Sequence, residues 1–435
     1  MAMSPERELV ARRGRPLTCL YLMKHWMSVA VLGLWSLSAT FAEATYQDFD
    51  QPPHRYHDRT PADRFTRLKA SLESGALVLD RAGEKAFLAD LLKALGIPAS
   101  SQMLVFSTTS LQLSLIGPAS PRALYFNEDT YLGYIPGGRI EIVSLDPELG
   151  GIFYIFDIPR DAAPVRAERS KRCMNCHAGE DTGFLPGLVV RSVAPGPTGG
   201  SLDSFRRDQT GHGIPFEERF GGWYVTGSGD FTNHWGNLIG EMSAGVLSKT
   251  PNPPGSRFSF GRYLVATSDV LPQLVHEHQV GFVNRAIEAG YRARTYLHQD
   301  AGGLTREHQD ELDRQARILA RYLLFLDEVP LPAGGISGDP AFKSEFSATR
   351  REVDGASLKD FDLRTRLFRH RCSHMIDSVV FQGLPPVLRQ KIHHEIGRAL
   401  AEDPNAPGSV AFPVEEKRTI RRILRKTLTD LPAGW

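Results

Sequence analysis

The chain contains little cysteine and carries almost no net charge. Only 4 of its 435 residues are cysteine, and 51 basic residues stand against 50 acidic ones, which gives a formal net charge of +1. So few cysteines exclude a fold that depends on a framework of disulfide bonds. The balanced charge gives no reason to expect a nucleic acid as partner, because proteins that bind one usually present an excess of basic residues.

The sequence also lacks the signatures of several common enzyme classes. It contains no glycine-rich phosphate loop, no G-x-S-x-G nucleophile motif, no H-E-x-x-H zinc motif and no EF-hand calcium loop. Beyond the N-terminal region, no stretch of the chain is long and apolar enough to cross a bilayer. We therefore expect the mature chain to have no membrane span.

Two of the few cysteines lie together in the segment Cys173-Met174-Asn175-Cys176-His177. This C-x-x-C-H spacing is the pattern by which a c-type haem is attached to a protein. Two thiols on one turn of backbone can bond the two vinyl groups of a haem, and the adjacent imidazole becomes the proximal iron ligand. A structural zinc ion would need a second pair of ligands, and there is no second cysteine pair. The sequence thus predicts one covalent haem c, held by Cys173, Cys176 and His177.

Attachment of a c-type haem takes place outside the cytoplasm, and the N-terminus carries a matching signal. The residues between Lys24 and Glu43 are uncharged and include an apolar segment of about 16 residues, which is short for a membrane span. Ala42-Glu43-Ala44 resembles a signal-peptidase site. We predict a signal peptide over residues 1–44, with Met23 as an alternative start, and a mature periplasmic protein. An uncleaved N-terminal membrane anchor is the other interpretation.

Hydrophobic periodicity divides the rest of the chain into a strand-rich part and a helical part. Short apolar segments follow one another from residue 102 without helices between them, and Pro136-Gly137-Gly138 marks a hairpin turn. Later, apolar residues recur at helical intervals. We predict an α+β fold with an antiparallel-sheet haem domain over residues 45–249, a linker and strand over 250–268, and a C-terminal helical bundle over 269–435. This is not the fold of a small all-helical cytochrome c.

The same patterns predict individual elements. Leucines at helical spacing precede Gly96 and Pro98, which favours a helix over residues 84–95, and a half-buried strand is predicted where leucine alternates with polar residues from Leu111 to Leu115. Further predictions are a helix over 64–72, a strand over 151–156, a helix from Pro164 to His177, strands over 187–193 and near 221–227, a helix after Asp269, a helix capped by Thr305, an apolar helical stripe over 368–379, and helices over 388–400 and 417–426.

The sixth iron ligand decides between an electron carrier and a catalyst. Three histidines are candidates for this distal position: His212 in a loop, His234 after a predicted hairpin, and His278 on an apolar helical stripe. His212 ranks first because loop histidines beside a haem segment are reasonable ligands. Met375 and Cys372 lie on a predicted apolar stripe, so we interpret both as core residues.

Several segments occur in an order that carries a family resemblance. They are Pro121-Arg122-Ala123-Leu124-Tyr125-Phe126-Asn127, the C-x-x-C-H motif, Pro215-Phe216-Glu217-Glu218-Arg219, Gly221-Gly222-Trp223-Tyr224-Val225-Thr226-Gly227, Glu277-His278-Gln279 and Arg371-Cys372-Ser373. Over roughly residues 100–400 the chain resembles a family of exported bacterial monohaem cytochrome c-like proteins without an assigned reaction. The resemblance implies a haem c protein and includes all three distal candidates, without choosing among them. Thr108 and His374 depart from the family pattern, where lysine and tyrosine are expected.

Three functions remain open from the sequence. One haem motif, no second cofactor motif and no clear catalytic constellation favour electron transfer with a redox partner protein that the sequence does not identify. The size of the chain favours the alternative, a peroxidase-like or oxygenase-like haem enzyme with an open sixth iron site. A haem-based sensor with the same open site is a third interpretation.

Overall fold

Two amphipathic helices come first in the part of the chain that the structure describes. The computed structural model describes residues 46–161, 163–205, 211–229 and 231–435. Helix α1 (Arg64–Ser74) begins where the Asp63 side chain accepts a hydrogen bond from the Thr66 backbone N–H. Helix α2 (Glu84–Leu95) ends at Gly96, which adopts the left-handed conformation that glycine tolerates best. Both helices were predicted, α2 from the spacing of its leucines.

An antiparallel sheet forms the centre of the molecule. The strands are β1 (Met103–Val105), β2 (Arg122–Phe126), β3 (Thr130–Tyr134), β4 (Ile140–Asp146), β5 (Gly150–Phe156), β6 (Glu168–Arg169), β7 (Val193–Pro195), β8 (Ser201–Ser204), β9 (Trp223–Tyr224), β10 (Leu238–Ser243) and β11 (Val246–Pro251). Within the described ranges, seven of them form one sheet in the order β6-β5-β4-β3-β2-β1-β9, and every neighbouring pair is antiparallel. The predicted hairpin about Pro136-Gly137-Gly138 joins β3 to β4, as expected. Strands β7 and β8 form a separate pair, as do β10 and β11.

Helices dominate the chain after β11. They are α4 (Val270–Gln299), α5 (Arg306–Leu323), α6 (Pro340–Ala348), α7 (Val379–Gln382), α8 (Pro386–Ala399) and α9 (Val414–Thr427). The short helix α3 (Met174–His177) lies earlier, between β6 and β7. Thr305 caps α5, as predicted, by accepting a hydrogen bond from the His308 backbone N–H. The mixed α+β class with an antiparallel sheet is therefore confirmed.

The sheet lies between two apolar clusters. Side chains of successive strand residues point to opposite faces, so Leu104 joins one cluster while Met103 and Val105 join the other. Helices α1 and α2 cover the first face, and α4, α5, α8 and α9 contribute to the cluster on the second. Side chains from both sides of the predicted boundary at residues 250–268 share this second cluster, so the packing is continuous where the sequence pattern changes.

The predicted strand from Leu111 to Leu115 is wrong. Leu113–Leu115 forms a turn of 3-10 helix, and all three leucines of the segment are exposed. Alternation indicates a strand only when another strand pairs with the backbone. Here the Gln112 side chain makes the contact instead, donating to the Arg139 carbonyl oxygen at 3.1 Å and accepting from the Arg139 N–H at 2.7 Å.

The predicted helix from Pro164 to His177 is wrong over most of its length. Strand β6 pairs with β5 in this region, and the helical turn α3 begins only at Met174. The backbone groups at the edge of β5 would otherwise be left without partners, and pairing with them prevails over the helical preference of the sequence. Only three residues therefore separate the C-x-x-C-H segment from an edge strand.

Two further predictions fail for local reasons. The strand predicted over residues 187–193 begins only at Val193. The stripe predicted over residues 368–379 is broken, because the side chains of Ser373 and Ser378 accept hydrogen bonds from backbone N–H groups and start two short elements instead of one helix.

The predicted signal peptide lies outside the described residues. Within the ranges that the structure describes, no helix has the length and apolar character needed to cross a membrane.

The Asp269 carboxylate holds two parts of the helical region together. Its Oδ1 accepts hydrogen bonds from the Leu271 N–H at the start of α4 and from the Asp339 N–H at the start of α6, both at 3.0 Å.

We expect Asp269→Ala to lower the free energy of unfolding by about 1–3 kcal/mol, since two backbone donors, one buried and one partly buried, lose their acceptor. Urea denaturation measures the loss. Asp269→Asn keeps an acceptor oxygen and should lose less than half as much; equal losses for the two variants would contradict this assignment.

Candidate functional site

The C-x-x-C-H segment forms a short helical turn beside the edge of the sheet. Lys171–Cys173 is a 3-10 turn, and Met174–His177 continues it as α3. Residues three apart on a helical turn lie on the same side, so this backbone presents both thiols in one direction. Cys173 is half-buried, Cys176 is exposed, and both are free thiols.

His177 is held in one tautomer. Its Nδ1 donates a hydrogen bond to the Gly187 carbonyl oxygen at 2.9 Å, which leaves the lone pair on Nε2. Histidines that bind metals usually have this arrangement, because the bond at one nitrogen orients the ring and makes the other nitrogen a better ligand. Burial lowers the pKa of His177 to about 4, although the Gly187 bond acts in the opposite direction. The imidazole is therefore neutral near pH 7, as a metal ligand must be.

The backbone of His177 is fixed by the same loop. The Gly187 N–H donates to the His177 carbonyl oxygen at 2.9 Å, and Thr182 Oγ1 donates to the same oxygen at 3.1 Å. Phe153 of β5 lies against the imidazole, with ring centroids 4.5 Å apart. Sequence reasoning missed these partners, since neither a glycine carbonyl nor a lone threonine stands out in a sequence.

The residues present fit a covalently attached haem. Two accessible thiols precede a neutral imidazole whose Nε2 makes no hydrogen bond within the described part of the chain. In the described ranges, no group of three or more His, Cys, Asp or Glu side chains is arranged to hold a bare metal ion.

The first and third distal candidates lie against each other. His212 Nδ1 and His278 Nδ1 share a hydrogen bond of 2.7 Å, and His278 Nε2 lies 2.7 Å from Ser373 Oγ. Both rings are buried, and their pKa values are well below the usual range because of burial. Both nitrogens of His278 therefore already have partners, which disfavours it as an iron ligand. His212 keeps one nitrogen without a partner, but that Nε2 is buried.

His234 adopts the tautomer opposite to that of His177. Its Nδ1 accepts a hydrogen bond from the Gly236 N–H at 2.9 Å, so the proton of the neutral ring is on Nε2. Binding iron through Nε2 would require this proton to leave and the Gly236 bond to break. The ring is also enclosed by Phe220 and Phe231. This arrangement disfavours His234 as a ligand.

Within the described residues, none of the three distal candidates makes a hydrogen bond or ring contact with His177. Two axial ligands are separated by the iron and do not contact each other, so this observation does not decide among the candidates. Met375 and Cys372 are fully buried in the apolar cluster below the sheet, which confirms their interpretation as core residues. The sixth position thus stays a prediction.

A buried ion pair connects the loop of His212 to α4. Arg219 NH1 lies 3.0 Å from a carboxylate oxygen of Glu277, and the two side chains are 3% and 9% exposed. Arg219 also donates to the carbonyl oxygens of His212 and Ile214. Burial raises the pKa of Glu277 while Arg219 opposes the change. The sequence gave no sign that Arg219 pairs with Glu277, the neighbour of His278.

The chain matches no protein family profile, and no curated protein and no solved structure matches it. The resemblance to monohaem cytochrome c-like proteins therefore stays a prediction.

Buried neutral histidines should make the protein sensitive to acid. His276 lies among the rings of Phe126, Tyr131 and Trp223, and burial lowers its pKa to about 3. Unfolded histidine takes up a proton near pH 6.5, whereas folded His276 stays neutral until about pH 3, so stability is lost as pH falls through this window.

When the pH is lowered from 7 to 5, we expect the free energy of unfolding of His276→Phe to fall by about 1–2 kcal/mol less than that of the wild type.

Urea denaturation at the two pH values measures this difference. His298→Gln is the matched control, because His298 is exposed on the same helix. An identical pH dependence in His276→Phe and the wild type would show that His276 can be protonated without unfolding.

Proposed function

We propose that this protein is an exported c-type haem protein with one covalent haem, and that it acts in electron transfer. Cys173 and Cys176 would form the two thioether bonds, and His177 would be the proximal iron ligand. The observation that carries the proposal is the hydrogen bond from His177 Nδ1 to the Gly187 carbonyl, which orients the ring and leaves the lone pair of the neutral imidazole on Nε2. The sheet-containing part of the chain, residues 45–249, would be the haem domain.

When bound, the haem supplies a one-electron redox couple. The chain contributes the attachment, the orientation of the proximal ring and its neutral state. Gly187 orients the imidazole, and burial keeps it unprotonated. The single C-x-x-C-H motif limits the protein to one such haem, and the partner would be a second redox protein rather than a nucleic acid.

A second function is supported by a different observation. Two of the three distal candidates are engaged in ways that oppose ligation, since His278 has partners at both ring nitrogens and His234 accepts a hydrogen bond at Nδ1. An iron atom without a protein ligand in its sixth position can bind small molecules. A peroxidase-like or oxygenase-like enzyme, or a haem-based sensor, is therefore the alternative.

Covalent attachment tests the first part of the proposal. With the c-type haem maturation machinery present, we expect the wild-type chain to keep its haem stain through denaturing electrophoresis. Cys173→Ala with Cys176→Ala should lose the stain completely, because no thioether bond can form. Cys372→Ala is the matched control and should keep the stain, since Cys372 lies in the core.

Stain that survives in the double variant, or none in the wild type, would overturn the proposal.

Fractionation of the same cultures tests export. The proposal requires haem-bearing chain in the periplasm that begins near Glu43 or Thr45. A chain that retains Met23 in the membrane fraction would instead indicate an uncleaved anchor.

The optical spectrum of the haem-bearing protein distinguishes electron transfer from ligand chemistry. For an electron carrier we expect a low-spin spectrum in both oxidation states and no change on addition of carbon monoxide, because a sixth ligand from the protein blocks the iron. A high-spin spectrum that shifts with carbon monoxide would exclude this and favour the alternative.

A further inference from the structure

A side chain of α4 holds the loop that orients His177. Asn284 Oδ1 accepts a hydrogen bond from the Leu188 N–H, and Asn284 Nδ2 donates to the Leu188 carbonyl oxygen, both at 2.8 Å. The amide thus satisfies both backbone groups of one residue that is 96 positions away in the chain. Leu188 directly follows Gly187, whose carbonyl oxygen accepts the hydrogen bond from His177 Nδ1.

Three successive loop residues have three different attachments. The Pro186 carbonyl oxygen accepts from the Gly151 N–H of β5 at 2.8 Å, Gly187 bonds to His177, and Leu188 bonds to Asn284. The loop is therefore attached to the sheet at Pro186 and to α4 at Leu188, and the carbonyl oxygen that accepts from His177 lies between these two attachments. Of the two supports, only Asn284 acts through a side chain and can be removed by substitution.

The space around Gly187 shows how closely this loop is held. A Cβ atom at Gly187 would lie 2.7 Å from Asn284 Oδ1 and 2.9 Å from the Thr182 Cβ, closer than real Cβ contacts allow. The Asn284 amide and the Thr182 side chain thus leave no room for a side chain at position 187. The loop can approach both residues this closely because position 187 is a glycine.

The helix beneath Asn284 offers a rigid support. Phe282, Val283, Ala286 and Ile287 are all at least 95% buried in the apolar cluster. Movement of Asn284 would disturb this packing, which is costly in a close-packed core. The amide is therefore fixed relative to the sheet and the loop.

We propose that Asn284 is a positioning residue for the proximal ligand and sets the reduction potential of the iron through the bond between His177 and Gly187. This inference rests on the proposed function. A strong hydrogen bond from Nδ1 gives the imidazole more anionic character, and such a ligand stabilises the oxidised iron. Loosening the loop weakens the bond and favours the reduced state.

The reduction potential of the haem-bearing protein provides the direct test. We expect Asn284→Ala to raise the ratio of reduced to oxidised haem at a fixed potential by about tenfold, which corresponds to about 59 mV for one electron. Asn284→Leu keeps the size of the side chain, adds no charge and removes both hydrogen bonds to Leu188, so it should shift the ratio in the same direction by a similar factor. It also provides a near-isosteric variant if the alanine variant does not fold.

His298→Ala is the matched control. His298 is exposed on the same helix, and its Cα lies about 21 Å further along the axis at 1.5 Å per residue. It should leave the potential unchanged. A potential that stays the same in both Asn284 variants, with haem attached, would overturn the inference and leave the proposed function standing.

A second readout does not depend on haem. In protein with Cys173→Ala and Cys176→Ala, nitrogen NMR of the His177 ring reports which nitrogen carries the proton. We expect the Nδ1–H tautomer to dominate, and adding Asn284→Ala should give a mixture of both tautomers. An unchanged tautomer in this comparison would overturn the positioning role. Failure of the wild type to attach haem would instead overturn the proposed function.

Discussion

The burial of α4 on nearly all sides is the constraint on which the rest of the structure depends. Polar side chains of a helix enclosed in this way lose their contacts with water, so hydrogen bonds to other parts of the chain compensate for that loss. Several of its polar residues bind other segments in this way: Gln273 donates to the Tyr224 and Ser268 carbonyl oxygens, Glu277 pairs with Arg219, and Asn284 holds Leu188. One helix thereby fixes the position of several loops that the sheet alone would leave undetermined.

This arrangement bears on the size of the chain. A haem carrier needs far fewer residues than this protein has, and size was the main physical objection to electron transfer. Because the proximal loop is held between β5 and α4, the helical part of the chain contributes to the haem site that we propose in the sheet-containing part. The two parts then serve one site, in agreement with their shared apolar cluster.

Elements with strong local signals could be predicted from the sequence. Helices α2 and α5 carry their apolar periodicity and their end signals within their own residues, and the β3–β4 hairpin carries its turn. The segments at 111–115 and 164–177 could not be predicted, since their outcome depends on whether a distant strand or side chain supplies the partner. Periodicity describes one segment and contains no information about its neighbours.

The candidate site divides in the same way. Cys173, Cys176 and His177 are adjacent in the sequence and could be found from their spacing. Gly187 and Asn284 could not, since the first acts through its backbone and the second is remote in the chain. The distal candidates differ in a property that no sequence pattern shows, namely which ring nitrogen of His234 or His278 is already engaged.

The 96 residues that separate Leu188 from Asn284 also have a consequence for the order of assembly. Contacts between distant parts of a chain form late in folding, because a large loop must close first. The thiols of the C-x-x-C-H motif, by contrast, are brought together by a single local turn. During maturation, the two sulfur atoms would thus be ready to react before the acceptor of the adjacent imidazole is in place. The final geometry at the iron would be established by the docking of a helix that is synthesised long after the motif.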